Sequence, residues 1–271
     1  MAKRITSAAV GVTLAVAVFV AGHFYPMVIN VAIAAVCVVA VYEIFTAMGI
    51  SKQYVIILPS LVFAVIMPLL GGGIVWDFAW YAYTVILFFI MIFMNQVLSF
   101  KDIAVIYSMS MLISIALSMI VLVRYLDKDN GIFYVVLTLG LPWTADGGAY
   151  FIGSFFGKHK LCPNISPKKT VEGVIGGVIV CVICSLLIGC AFDFWLLPAI
   201  SVHYGYLALL ALLASLVSVI GDLTFSLTKR GCQIKDFGNV IPGHGGVLDR
   251  FDSVIFVAPL VSFFVQWLPL I

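Results

Sequence analysis

Met27–Ala47, MVINVAIAAVCVVAVYEIFTA, is the stretch whose reading decides the fold. At about 20 residues it can cross the hydrocarbon core of a bilayer as a helix, and its only charge, Glu43, marks where the span ends. Runs of the same kind extend in both directions. Ile5–Gly22 lies before it, behind Lys3 and Arg4. That run is long and many spans follow it, so it reads as a first, uncleaved transmembrane helix rather than a signal peptide. After it come Tyr54–Leu70, stopped by Gly71–Gly73, then Ile74–Met94, Ile103–Val123, Ile132–Ile152, Val171–Phe192, Tyr204–Phe225 and Phe251–Leu268.

Composition agrees. The 271 residues are 64% hydrophobic and 10% charged, against about 25% charged in a soluble domain. A backbone in lipid must satisfy its own polar groups, and helices of this length do so. The expectation is an all-α polytopic membrane protein, about nine transmembrane helices in one bundle. Residues 1–130 would supply five spans and residues 131–271 a four-span catalytic region, with polar loops at 153–171 and 226–250. No internal repeat is evident.

Charge placement orients the chain. Nine spans put twelve basic residues on the side of the N-terminus: Lys3, Arg4, Lys52, Lys101, Lys158, Lys160, Lys168, Lys169, Lys229, Arg230, Lys235 and Arg250. The other side receives Arg124 and Lys128. By the positive-inside rule the N-terminus and both polar loops face the cytoplasm.

The charges also cluster along the chain. Eight of them fall between Asp222 and Asp252, around SLTKRGCQIKDFGNVIPGHGGVLDRFD (Ser226–Asp252). Asp222, Ser226 and Lys229 stand at i, i+4 and i+7, one face of a helix, and Asp249 and Asp252 stand at i and i+3. Between them the glycines of IPGHGG let backbone N–H groups approach a ligand closely. Carboxylates bind a divalent cation; Lys, Arg, His and amides bind phosphate. The stretch reads as a metal-and-phosphate site. Asp146, in WTADGGAYFIG, lies inside the sixth span, where a charge costs about 2.5–3.5 kcal/mol on insertion and implies a function. Asp146 and Asp222, on the side carrying the lysine pairs, favour a phosphate site bridged by a cation over simple helix-fixing ion pairs.

These residues carry a resemblance. Ser226–Asp252 resembles the signature of phosphatidate cytidylyltransferases, also called CDP-diacylglycerol synthases. DGGAYFIG (Asp146–Gly153), FGKHKL (Phe156–Leu161) and SPKKTVEG (Ser166–Gly173) are similar to that family's pattern as well. The likeness covers the C-terminal half; the N-terminal half matches only as a set of apolar spans. It implies a multi-span helical enzyme, a homodimer, with its site open to the cytoplasm of a bacterial inner membrane. It implies CTP and phosphatidic acid as substrates, CDP-diacylglycerol and pyrophosphate as products, Mg²⁺ as cofactor with one or two ions bound, membrane lipids as surroundings, and no nucleic acid partner.

The attacking phosphate oxygen is already anionic, so catalysis needs positioning and charge stabilisation rather than a protein nucleophile. Asp222 and Asp249 are then the expected principal metal ligands, with Asp252 and Asp146 as further ligands or as partners orienting them. Lys229, Arg230, His244 and the Gly245 and Gly246 amides would hold triphosphate. Ser166, Ser226, Arg250, Lys168 and Lys169 complete the substrate-binding set, and the sequence does not choose which substrate Lys168 and Lys169 serve.

Plainer readings attach to the remaining features. His159 and His203 read as ordinary loop residues, and Glu172 as a partner of the site rather than a member. Gly173-x3-Gly177 has helix-packing spacing. Cys181 and Cys184 form C-x-x-C inside an apolar run with no second pair, and read as packing residues. Gly148–Lys158 is glycine-rich but lacks the P-loop pattern. Two rival functions stand beside the synthase: another CTP-using lipid enzyme, such as a polyprenol kinase or an ether-lipid cytidylyltransferase, and a transporter. Charges gathered at one membrane face, not the midplane, weigh against the transporter.

Overall fold

The computed structural model describes residues 2–51, 53–96, 98–196, 201–240, 243 and 245–271. Among the described residues lie nine α-helices: α1 (Ala2–Phe24), α2 (Met27–Ala47), α3 (Tyr54–Leu70), α4 (Ile74–Phe93), α5 (Phe100–Leu126), α6 (Gly131–Phe156), α7 (Val171–Ala191), α8 (Tyr204–Gly231) and α9 (Leu248–Trp267). Two short strands, β1 (Lys160–Cys162) and β2 (Ser166–Thr170), form an antiparallel hairpin before α7. The chain is nearly all-α. Among the described residues, five helical segments are long and apolar enough to cross a membrane: α2, α4, α5, α8, and α7 with the π-helical residues that follow it. Ala9–Phe24 and α3 are shorter apolar segments. This is an integral membrane protein.

α2 and α3 occupy the apolar runs residue for residue. Elsewhere helices outrun hydrophobicity. α8 continues past Phe225 through Lys229 and Arg230, and α9 begins at Leu248, so Asp249 and Asp252 both lie on helix. The polar connection Ser154–Thr170 holds the hairpin, which its hydropathy did not announce.

The packing divides into two compact units, one of Met1–Leu122 with Cys232–Phe251, the other of Val123–Gly231 with Asp252–Ile271. In the first, α3 ends where Gly71 takes the left-handed conformation, φ 64°. Helix ends leave carbonyls unpaired. Buried Asn30 of α2 donates from Nδ2 to one of these, the Pro68 carbonyl, at 3.0 Å. Deeper in the unit, Tyr83 of α4 links Ser60 of α3 (2.9 Å) to Ser110 of α5 through its hydroxyl, while its ring stacks on Phe63 at 4.2 Å. These polar groups among apolar helices are thus paired with neighbours, as a waterless surrounding favours.

In the second unit, α6 and α7 approach so closely that backbone replaces side chain at their contact. A Cβ on Gly177 would stand 2.6 Å from the Ala145 carbonyl oxygen, and one on Gly173 would stand 2.8 Å from that of Ala149. Gly148 returns the relation from α6, facing Val180 Cβ at 2.7 Å. The packing reading of Gly173-x3-Gly177 agrees with this geometry, and the stripe holds α6 where Asp146 can meet α8 and α9. Buried Arg124 closes the turn before α6, donating from one guanidinium nitrogen to the carbonyls of Asp127 (3.3 Å) and Lys128 (3.1 Å).

Gly177→Val should push α6 and α7 apart and destabilise the protein by about 1–3 kcal/mol, the usual cost of overpacking. Gly147→Ala, whose Cβ meets nothing within 4 Å, should stay within about 0.5 kcal/mol of wild type. Unfolding midpoints of the two variants in the same detergent check the pair.

Candidate active site

The second unit gathers ionisable side chains from four elements. Asp146 of α6 accepts hydrogen bonds on both carboxylate oxygens, from Ser253 Oγ of α9 at 2.8 Å and from Ser218 Oγ of α8 at 3.2 Å. Asp222 of α8 accepts from Ser226 Oγ, one turn on, at 3.1 Å; its other oxygen pairs with Lys169 Nζ of β2 at 2.5 Å. Asp252 of α9 accepts from the Ser253 N–H at 2.8 Å and lies 4.0 Å from Lys229 Nζ of α8. α8 and α9 can run this close because Gly221 faces the Asp252 carbonyl, 3.0 Å from where a Cβ would stand.

The cluster is a charge balance in a poorly solvated place. Side chains of Lys229 and Asp252 are 13% and 11% exposed, those of Lys169 and Asp222 19% and 26%. Asp146 and Asp222 repel each other, and Asp252 feels both as like charges. Lys169 and Lys229 offset two of the three negative charges. Two ammoniums against three carboxylates leave one negative charge, and oxygen-only donors of this kind suit a hard divalent cation. Among the described residues no three His, Cys, Asp or Glu side chains already stand together as a metal-ligand group. Serine hydroxyls, a lysine ammonium and the Ser253 N–H occupy carboxylate oxygens instead.

The hairpin delivers Lys169. α7 is capped by Thr170, whose side chain accepts the Gly173 N–H at 3.2 Å. Glu172, in the same first turn, accepts the backbone N–H groups of Lys158 (3.1 Å) and His159 (3.2 Å) and meets His159 Nδ1 at 2.5 Å. The hairpin is therefore tied at its base, where both strands meet α7. Along β2 the surroundings change between Lys168 and Lys169: Pro167 and Lys168 are exposed, Lys169 is half-buried and Thr170 buried. Lys169 turns inward to Asp222, while Lys168 is exposed. This separates two lysines that the sequence left equivalent. Ser166 pairs across the hairpin with Cys162.

The first unit holds the other half of the signature. Its loop bends through Gly243 and Gly245, at φ 80° and 87°, and turns back on Asp249. One Asp249 oxygen, Oδ2, accepts the N–H groups of Phe237 and Gly246, each at 2.9 Å. Glu43 of α2 accepts from Val247 N–H at 3.0 Å and Leu248 N–H at 2.8 Å, one on each carboxylate oxygen. Arg230 and Arg250 are exposed, and His244 lies outside the described residues. Burial pushes the Cys232 thiol up, which suits a packing residue and not a reactive thiolate.

Of the residues singled out in the sequence, Asp146, Lys169, Asp222, Ser226, Lys229 and Asp252 therefore meet in one unit. Asp249, Gly245 and Gly246 belong to the loop of the other. The expectation that the Gly246 amide contacts triphosphate meets a prior partner, since that N–H is already donated to Asp249. Ser218 and Ser253 went unnoticed. Ser218 was within reach, because it lies one turn before Asp222 and extends the Asp222–Ser226 face.

A family model described as the cytidylyltransferase family matches residues 2–268. The chain belongs to the cytidylyltransferase family. The match reaches through both units and includes the N-terminal helices. Among curated relatives, a phosphatidate cytidylyltransferase of Bacillus subtilis (strain 168) is 35% identical over 222 residues, covering 82% of this family member and 71% of the relative. One of Staphylococcus haemolyticus (strain JCSC1435) is 41% identical over 138 residues, 51% of each chain. One of Staphylococcus aureus (strain COL) matches to the same extent. The cytidylyltransferase chain thus spans about half the length of these staphylococcal relatives.

Lys169→Met should leave Asp222, Asp146 and Asp252 repelling one another. A fall of about 2 kcal/mol is expected, below the ~3–5 kcal/mol of a fully buried pair because both partners keep some solvent. Lys168→Met should fall within about 0.5 kcal/mol of wild type. If the cluster holds a cation, added Mg²⁺ should raise the midpoint of Lys169→Met more than that of wild type.

Proposed function

We propose that this chain is a phosphatidate cytidylyltransferase, transferring CMP from CTP to phosphatidic acid and releasing pyrophosphate. The observation that carries the reading is the alternation of carboxylates and ammoniums through Asp146, Lys169, Asp222, Lys229 and Asp252 among apolar helices. A cluster of both signs suits a cation together with phosphate groups. Family membership and the activity for which the relatives are named support the same reading.

The reaction joins two polyanions. A phosphatidate oxygen attacks the α-phosphorus of CTP, the bond from that phosphorus to the bridging oxygen breaks, and pyrophosphate leaves with the electron pair. No proton has to be removed from the nucleophile, so the chain's task is to hold and to neutralise. Lys229 and Arg230 bind triphosphate, and His244 and the Gly245 amide are the phosphate-binding groups of the signature loop. Lys169 leaves Asp222 for a substrate phosphate when one arrives, and exposed Lys168 attracts the anionic lipid headgroup from the membrane edge. Ser166, Ser226 and Arg250 supply further polar contacts. Asp222 and Asp249 would be the principal ligands of Mg²⁺. Asp252 would assist, and Asp146, held by two serines, would orient the group. When bound, the ion would offset charge building on the leaving pyrophosphate.

We assign nine spans, a cytoplasmic N-terminus and a site facing the cytoplasm of a bacterial inner membrane on the distribution of Lys and Arg. The homodimer is carried over from the family resemblance. Purified protein in phosphatidate–detergent micelles with Mg²⁺ and CTP labelled in its cytosine should pass label into lipid, dependent on phosphatidate. EDTA should stop it, and Asp222→Asn should lower the rate by about 100-fold or more while remaining folded. Transfer of the γ-phosphate to a lipid alcohol instead would make the chain a lipid kinase, and a folded protein that leaves CTP intact would refute both.

A further inference from the structure

Glu43 is a charged residue buried in an apolar helix, 4% exposed, and the reaction as derived does not use it. Its carboxylate is fully committed. Each oxygen accepts one N–H at the start of α9, from Val247 and Leu248, across more than 200 residues of chain. Two glycines of the signature loop press on the same group. A Cβ on Gly246 would lie 2.5 Å from Glu43 Oε2, and Gly238 faces Oε1 just as tightly. The next residues are the ones that matter chemically: Gly246 N–H reaches Asp249, and Asp249 reaches back to Phe237. Glu43 also senses the Asp249 charge.

We infer that Glu43 is a positioning residue for the signature loop, the anchor on α2 that fixes where α9 begins and so how Asp249 is presented. The inference rests on the cytidylyltransferase reading for its catalytic meaning. Three features favour it over simple helix stabilisation. A helix start is ordinarily capped from its own chain by Ser, Thr, Asp or Asn; here the residue before α9 is Val247, which has no side-chain acceptor. A carboxylate accepts on both oxygens, whereas an amide would turn a donor toward one of the two N–H groups. The close glycines leave no slack, so a displaced carboxylate moves the loop with it.

The test compares wild type with Glu43→Gln, Asp249→Asn and the double variant, full length in detergent. Steady-state kinetics are followed with CTP and phosphatidate, and amide hydrogen exchange is followed across the chain. Glu43→Gln should stay folded and lose about 100-fold in kcat, the penalty of a misplaced catalytic group, with KM for phosphatidate little changed. Faster exchange should be confined to peptides within residues 234–249. The double variant should be no slower than Asp249→Asn, because the two residues act through one loop. A folded Glu43→Gln protein with near-wild-type kcat and unaltered loop exchange overturns the inference. So does global unfolding, or faster exchange throughout α2–α5, which would make Glu43 a stabiliser of the whole unit. If wild type itself leaves CTP untouched, the synthase reading falls, and loop exchange alone still decides whether Glu43 anchors the loop.

Discussion

Repulsion among Asp146, Asp222 and Asp252 is the constraint around which the second unit is built. Three carboxylates at helix positions remote from bulk water would drive their helices apart if left alone. Lys169 and Lys229 prevent this, and nearly every local feature of the unit serves to bring them there. α8 runs on beyond its apolar stretch so that Lys229 reaches Asp252. The hairpin is pinned by Thr170 and Glu172 so that Lys169 reaches Asp222. The glycine contact of α6 with α7 sets the depth of Asp146.

The first unit meets a milder form of the same problem. Its helices carry isolated polar side chains, Asn30, Ser60, Tyr83 and Ser110, each satisfied by a neighbour from another helix. Glu43 differs in being charged, and it is satisfied by backbone at a helix start, where N–H groups point outward together and favour an anion. Its partners lie in the second half of the chain. The N-terminal helices are thus more than a membrane scaffold for a C-terminal site: they hold the ground on which part of the signature rests.

Much of this was legible in the residues. Apolar runs marked the helices, and α2 and α3 begin and end where hydrophobicity changes, because length and polarity alone govern a segment in lipid. The i, i+4, i+7 spacing of Asp222, Ser226 and Lys229 placed them on one face, and the fold keeps them there. What stayed hidden depended on partners distant in sequence. Nothing near Glu43 announces that its acceptors are needed at Val247 and Leu248. The hairpin escaped notice because three- and five-residue strands have too short a pattern to stand out from a polar loop. Asp146 drew attention as a charge within a span, but its partners Ser218 and Ser253 are of a type common in membrane helices, and geometry alone singles them out.

Strand β2 is short, yet position along it decides what each residue meets. Pro167 and Lys168 are exposed whereas Lys169 and Thr170 turn inward, so Lys168 meets water and Lys169 meets carboxylate by their place relative to Thr170. Their order is invisible to composition: two identical residues hold two different offices. Adding one residue between Lys169 and Thr170 would move Lys169 one position away from Asp222 without altering any side chain. In this segment the chain's length carries information that its lettering does not.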